Sequence, residues 1–202
     1  MPYSETEKAD QPSSLYGATK RADELMSHAY AHLFGLPQTG LRFFTVYGPW
    51  GRPDMAYFSF ARAIMSGEPI TLYDEGRLRR DFTYIDDIVA GVVGSLDRPP
   101  EDAHVPRLLN IGNHRVEEVR ELVRLLEEAL GRKGIIHSAP RPAVDVEATF
   151  ASIDAIATLT GFAPMTPLSI GIPRFVTWLK GWNADGIVES LKNPLDARAA
   201  KA

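Results

Sequence analysis

No cysteine occurs among the 202 residues, which rules out disulfides, thiolate-bound metals and cysteine nucleophiles together. There is no basic surplus either. The 22 Lys and Arg residues stand against 26 Asp and Glu, a net charge of -4. The electrostatic footprint of a nucleic-acid binder is therefore missing, and the Arg79-Arg80 pair needs a local explanation. No apolar run approaches the ~18 residues of a membrane span, and Met1-Pro2-Tyr3-Ser4-Glu5 does not read as a signal peptide. A soluble, cytoplasmic protein with no nucleic-acid or membrane partner is expected. Histidine is sparse: His28, His32, His104, His114 and His137 include one i, i+4 pair with no third ligand nearby. They read as surface or packing residues, and no metal site is expected. Internal repeats are absent.

What is present begins with Ser13-Ser14-Leu15-Tyr16-Gly17-Ala18-Thr19-Lys20. A Tyr-x-x-x-Lys spacing is just over one helical turn, so Tyr16 and Lys20 project from one face. An ammonium group close to a phenol favours the phenolate, making Tyr16 a candidate general base. On spacing alone the pair could equally be a surface tyrosine beside a solvated lysine. Leu15, Ala18, Ala22, Leu25 or Met26, Ala29 and Leu33 recur at helical steps and predict a buried stripe. Tyr16, Lys20, Asp23 and Ser27 share a neighbouring flank. Pro12 and the two serines mark the helix start, and Gly35 with Pro37 its end.

The chain then alternates strands and helices. A strand is expected over residues 38–44, followed by a Gly-, Pro- and aromatic-rich loop, 45–56. In open α/β sheets ligands gather beyond the carboxyl ends of strands, so this loop is a candidate site wall. Next are a helix over 55–66, a short strand at 70–73 and a turn at 74–76. The following helix takes Asp86 or Asp87 as its N-cap. A strand at 108–111 leads to a periodic helix over 116–130, and a strand near Ile135 follows. Helices over 153–160 and 168–182 precede a stretch, from about 183 to 202, with little periodicity. The pattern predicts an α/β fold.

The order of these motifs carries a resemblance. Tyr-x-x-x-Lys, then Leu-Arg-Phe-Phe-Thr-Val-Tyr-Gly-Pro-Trp-Gly-Arg-Pro-Asp-Met-Ala (41–56), then Arg-Arg-Asp-Phe-Thr-Tyr-Ile-Asp-Asp-Ile-Val (79–89) resembles the extended short-chain dehydrogenase/reductase superfamily. Within it the chain is most similar to the UDP-glucuronate 4-epimerases. The resemblance implies the C-terminal part of a Rossmann-type doubly wound parallel sheet plus a smaller substrate-binding domain. Residues 1–54 would end the NAD-binding domain, and 55–184 would mainly bind nucleotide sugar, with one or two segments returning to the first; 185–202 would be a tail. It also implies NAD as cofactor and a UDP-sugar as substrate. Tyr16 would take the sugar C4 hydroxyl proton, and Lys20 would hold the nicotinamide ribose. Thr45, Arg52, Met55 and Ala56 would line the sugar pocket, with Arg52 suited to a glucuronate carboxylate. Ile70 to Tyr73 would pack on the uracil, and Arg80 and Arg141 would meet the diphosphate. The Tyr16 helix would form a homodimer face.

Several positions depart from that pattern or admit another reading. Arg52 could instead brace its loop by pairing with Asp54, Arg79 could be merely solvated, and helix capping explains Asp86 and Asp87 better than a paired-carboxylate site. The family's glycine-rich turn, Gly-x-x-Gly-x-x-Gly, has no counterpart; Gly91-Val92-Val93-Gly94 comes nearest and falls inside a predicted helix. The family's catalytic Ser or Thr would fall before Met1. Val144 stands where the family usually has Gly before Asp145. The expectation is a C4 epimerase by ancestry that exposes apolar surface, is poorly soluble or associates, binds NAD weakly or not at all, and is inactive alone. A nucleotide-sugar dehydratase or decarboxylase, and a non-catalytic nucleotide-sugar-binding fragment or partner subunit, are the alternatives.

Overall fold

The computed structural model describes residues 2–7, 9–142 and 146–184. The expectations at Val144 and for the 185–202 tail lie outside the described residues. Helix α1, Leu15–Phe34, is capped as the sequence predicts: the Ser14 hydroxyl accepts from the Gly17 N–H, and Gly35 ends it at φ 60°. Strand β1 (Thr39–Phe43) passes through Phe44 into β2 (Thr45–Tyr47). Then come α2 (Ala56–Ser66), β3 (Pro69–Tyr73) and a 3-10 turn (Asp74–Gly76). Strands β4 (Arg79–Arg80) and β5 (Phe82–Tyr84) lead into α3 (Ile85–Leu96). The remainder is β6 (Arg107–Ile111), β7 (Glu117–Glu118), α4 (Val119–Leu130), β8 (Ile135–Ala139), β9 (Ala148–Thr149), α5 (Asp154–Thr160) and α6 (Leu168–Ala184).

The strand pairs are mainly parallel and non-sequential, as crossover connections require. β1 pairs with β6, β2 with β5 and β3 with β8, all parallel. β4 lies between β7, antiparallel, and β9, parallel. The largest core gathers Tyr47, Tyr57, Phe58, Phe82, Leu122, Leu126 and Phe175 from β2, β5, α2, α4 and α6. A second core, with Ile88, Ile111, Ile156 and Phe162, seats α3 and α5 against β6.

Three readings differ from expectation. Residues 45–47, expected to open the loop, form β2 and pair with β5, since the ladder carries on past Phe44 before the Gly- and Pro-rich stretch stops it. Residues 117–118 do not begin the long helix; they pair with Arg80 and Arg79 as a short strand, and α4 starts only at Val119. Backbone pairing with β4 overrides helix propensity there. The N-cap of α3 is Tyr84, without a side-chain cap, and Asp86 and Asp87 sit in the first turn, where the positive end of the helix dipole favours carboxylates. The Asp87 carboxylate also accepts from the Thr166 N–H at 2.9 Å, tying α3 to the segment before α6.

The predicted burial of the α1 stripe is overturned. Leu15 is 83 % exposed and Leu33 68 %, and Leu25 and Met26 are exposed too. Another face of the same helix, Gly17, Arg21, Glu24, Ser27 and Ala31, turns toward the body, and only Ala31 of the helix is fully buried. Periodicity reveals that a helix has an apolar face, not that the chain in hand covers it. What holds α1 is polar. Glu24 accepts from Arg42 of β1 at 2.7 and 3.0 Å and from Arg21 at 2.8 Å, while the Ser27 hydroxyl donates to Gln38 at 2.6 Å. Among the described residues β1 pairs with β6 alone, so its other edge is open.

Arg42, then burial acting in opposition, then Arg21 set the Glu24 carboxyl, and the balance lies below the usual carboxylate range. A depressed acid contributes stability above its unfolded pKa of about 4.3 and loses that contribution as pH falls through the lowered folded value. Urea unfolding should therefore find Glu24→Gln less stable than the parent at pH 7. The gap should close toward pH 3; a gap that persists there would mean the pair is not the source.

Candidate functional site

The loop after β2 is held by contacts that only its own residues permit. Gly48 adopts φ 139°, and a Cβ there would lie 2.6 Å from Ile85. A Cβ on Gly51 would lie 1.6 Å from the Tyr57 hydroxyl, which donates to the Gly48 carbonyl at 3.3 Å. Arg52 forms a two-point pair with Asp54, at 3.1 and 2.8 Å, and stays exposed. The bracing pair weighed from sequence is thus formed, and the guanidinium still faces solvent. Met55 is the N-cap of α2 and makes no side-chain cap bond, so the first-turn N–H groups at Ala56 and Tyr57 are left to an anion or to water.

Thr45 stands at the first position of β2, half-buried, its N–H donating to the Asp81 carbonyl at 3.1 Å. Asp81 is fully buried. Its carboxylate accepts from the N–H groups of Asn113 (2.6 Å), His114 (3.1 Å) and Ala151 (3.0 Å) and from the Thr83 hydroxyl (3.2 Å). Burial pushes this carboxyl above its ordinary value, and the donors pull it back. One residue thereby joins β4, β5, the turn after β6 and the segment after β9. Sequence reading passed over Asp81, although an aspartate directly before the largely apolar run Phe82 to Ile85 was the available signal, since a buried carboxylate demands donors.

Arg80, next to Asp81, is half-buried in β4 and donates to the Arg79 carbonyl at 2.8 Å. Arg79 is not merely solvated: it reaches Glu147 at 3.3 Å. Along β3, Ile70 and Leu72 are core, whereas Thr71 and Tyr73 face outward. Arg141 is exposed.

Tyr16 is 68 % exposed, and the Lys20 ammonium lies 5.9 Å from the centre of its ring. The two side chains share a face, as the spacing requires. The Lys20 ammonium donates to Asp23 at 2.8 Å, and that hydrogen bond is the chief cause raising its pKa. The other phenols near the loop are poor bases. Burial pushes Tyr57 up to about 12, and it holds Tyr47 and Tyr84 above their ordinary value too. Tyr16 is the phenol in this region with open access to a ligand.

The sequence profile described as "NAD dependent epimerase/dehydratase family" matches residues 2–112. The chain belongs to that family. It is 46 % identical over 193 residues to a probable UDP-glucuronate 4-epimerase of Rhizobium meliloti, covering 88 % of this chain and 57 % of the relative. It is 47 % identical over 191 residues to UDP-glucuronate 4-epimerase 1 of Arabidopsis thaliana, covering 88 % and 44 % respectively. The crystal structure of a UDP-glucuronic acid 4-epimerase from Bacillus cereus, in complex with UDP-glucuronic acid and NAD, superposes with a TM-score of 0.78 at 30 % identity, covering 90 % of this chain and 58 % of that one. The fold is thus Rossmann-type α/β, and the chain spans about half the length of the curated relatives it matches.

Among the described residues no glycine-rich turn offers a cradle for the pyrophosphate of an NAD molecule. Gly91 and Gly94 lie within α3, where a Cβ at Gly91 would meet Ile111 at 2.5 Å and one at Gly94 would meet Thr160 at 3.1 Å. These glycines permit helix packing and make no phosphate cradle. The Tyr16–Lys20 face, by contrast, is open and offers a phenol and an ammonium able to hydrogen-bond hydroxyl groups.

Proposed function

We propose that this chain supplies the catalytic pair and the substrate contacts of an NAD-dependent epimerase acting at C4 of UDP-glucuronate to give UDP-galacturonate. The observation that carries the reading is the exposed Tyr16 phenol with Lys20 on the same helical face, 5.9 Å from the ring. It is supported by sequence relatives named UDP-glucuronate 4-epimerase. Tyr16 takes the proton of the C4 hydroxyl and returns it to the epimeric alcohol. NAD, when bound, supplies the acceptor and later the donor of the C4 hydride. Lys20 holds the ribose hydroxyls of that cofactor and keeps a positive charge beside the phenol.

Thr45 and the first turn of α2, at Met55 and Ala56, frame the sugar, while Arg52 exchanges Asp54 for the sugar carboxylate, a planar fork meeting two oxygens. Arg80 and Arg141 take the diphosphate, and the outward ring of Tyr73 flanks the uracil. In this reading residues 1–54 end the cofactor-binding unit and 55–184 mainly bind substrate, with β6 returning to pair with β1. A homodimer through the exposed face of α1, and a cytoplasmic location, belong to the same proposal; among the described residues no helix is long and apolar enough to cross a membrane.

A second reading, a nucleotide-sugar-binding partner subunit, is favoured by the absence of a phosphate cradle at Gly91 and Gly94. Calorimetry separates the two from any unrelated role. The chain should bind UDP-glucuronate without added NAD, and Arg80→Ala should weaken binding about 10- to 100-fold, the worth of a charge-assisted contact. Affinity for NAD with none for the UDP-sugar would contradict both.

A further inference from the structure

Trp50 is an improbable residue where it stands. Its backbone is left-handed, at φ 62°, a conformation that costs a bulky side chain appreciable energy, and its ring is 78 % exposed. Such strain persists only where the surroundings hold it. Here the holders are two tryptophans of α6: Trp50 lies 5.4 Å from Trp178 and 6.3 Å from Trp182, which stack on each other at 5.1 Å with 15° between their planes. Trp178 and Trp182 also meet Phe58, so the cluster is rooted in the main core. Gly51, required by the Tyr57 side chain, follows Trp50 directly, Gly48, required by Ile85, stands two residues before it, and Arg52 comes two residues after it.

We infer that Trp50 is a positioning residue: by latching the 48–54 loop onto Trp178 and Trp182 of α6, it presents the Arg52 guanidinium to a substrate carboxylate and so sets preference for a uronic-acid sugar over its neutral counterpart. The argument is one of preorganisation. Arg52 is exposed and has a competing partner in Asp54, so its value to a ligand depends on a fixed loop more than on the charge itself. Arg80 sits on a strand and owes nothing to the latch. The inference rests on the function proposed above.

The decisive variants are Trp50→Gly, which keeps the left-handed backbone without strain but removes the ring, and Trp50→Phe, which restores an aromatic contact. Two measurements on the chain are needed: backbone heteronuclear NOEs at Gly51, Arg52 and Asp54, and calorimetry with UDP, UDP-glucose and UDP-glucuronate. Trp50→Gly should lower the loop NOEs and reduce the preference for UDP-glucuronate over UDP-glucose about tenfold, with UDP affinity within about twofold of the parent. Trp50→Phe should recover most of both. Unchanged NOEs in Trp50→Gly would overturn the latch. A parallel fall in affinity for all three ligands would overturn its role in specificity, leaving only a structural one, and so would an intact preference on a loosened loop. A parent chain that binds UDP but does not prefer UDP-glucuronate would overturn both the specificity role and the proposed substrate. All 3 tryptophans of the protein belong to this cluster, so intrinsic fluorescence gives a further signal of ring contact in each variant.

Discussion

Asp81→Ala should lower the unfolding free energy by about 3–5 kcal/mol, read from urea denaturation monitored by far-UV circular dichroism. The substitution removes one carboxylate and orphans four donors, the N–H groups of Asn113, His114 and Ala151 and the Thr83 hydroxyl. Each buried donor left unpaired costs about 1–3 kcal/mol, and partial relaxation or entry of water recovers some of the sum. Because a domain's whole stability is about 5–15 kcal/mol, this variant stands close to the limit of folding. Asp81→Asn keeps one acceptor oxygen but turns an amide toward backbone N–H groups, and should fall between parent and Ala variant. A loss below about 1 kcal/mol for Asp81→Ala would show that the carboxylate is not the hub its hydrogen bonds imply. The consequence reaches the candidate site, because the Asp81 carbonyl receives the Thr45 N–H and Arg80 is its neighbour in β4.

Tyr16→Phe should cut turnover about 10³-fold in a chimera that joins this chain to the portion of the Rhizobium relative it does not match, within the range a positioned acid–base contributes. UDP-glucuronate affinity should stay within about threefold, because in the proposed mechanism the phenol oxygen acts on the proton in flight rather than on the bound ground state. Tyr16 is well suited to the comparison: its ring is largely exposed and its loss leaves no cavity in the core. The neighbouring candidates offer no substitute base, since burial keeps Tyr47, Tyr57 and Tyr84 protonated.

Local chemistry was legible in the sequence where it is short-range. Ser14 and Gly35 cap α1 as their residue types predict, and Gly67 and Gly131 end α2 and α4 in left-handed conformation. The Tyr16–Lys20 face follows from helical geometry alone, and the strand expected at 70–73 forms as β3, whose two-residue period buries Ile70 and Leu72 and turns Tyr73 outward. The failures have one cause, dependence on partners remote in the chain. The stripe of Leu15, Leu25 and Leu33 has the period of a core-facing helix, yet the helix is fixed to the body through Glu24 and Arg42, whose pairing no local pattern announces. Glu117 and Glu118 leave the helical register because Arg79 and Arg80 pair with them. The Trp50 cluster unites residues from distant parts of the chain, and only the tertiary structure reveals it.

The central claim is that the Tyr16 phenol handles the proton of a sugar C4 hydroxyl, and the most direct measurement follows UDP-glucuronate by proton NMR with the chimera and NAD. The account predicts conversion to UDP-galacturonate until the two sugars equilibrate, with the Tyr16→Phe enzyme slower by about three orders of magnitude at equal substrate affinity. Conversion by Tyr16→Phe at the parent rate would contradict it.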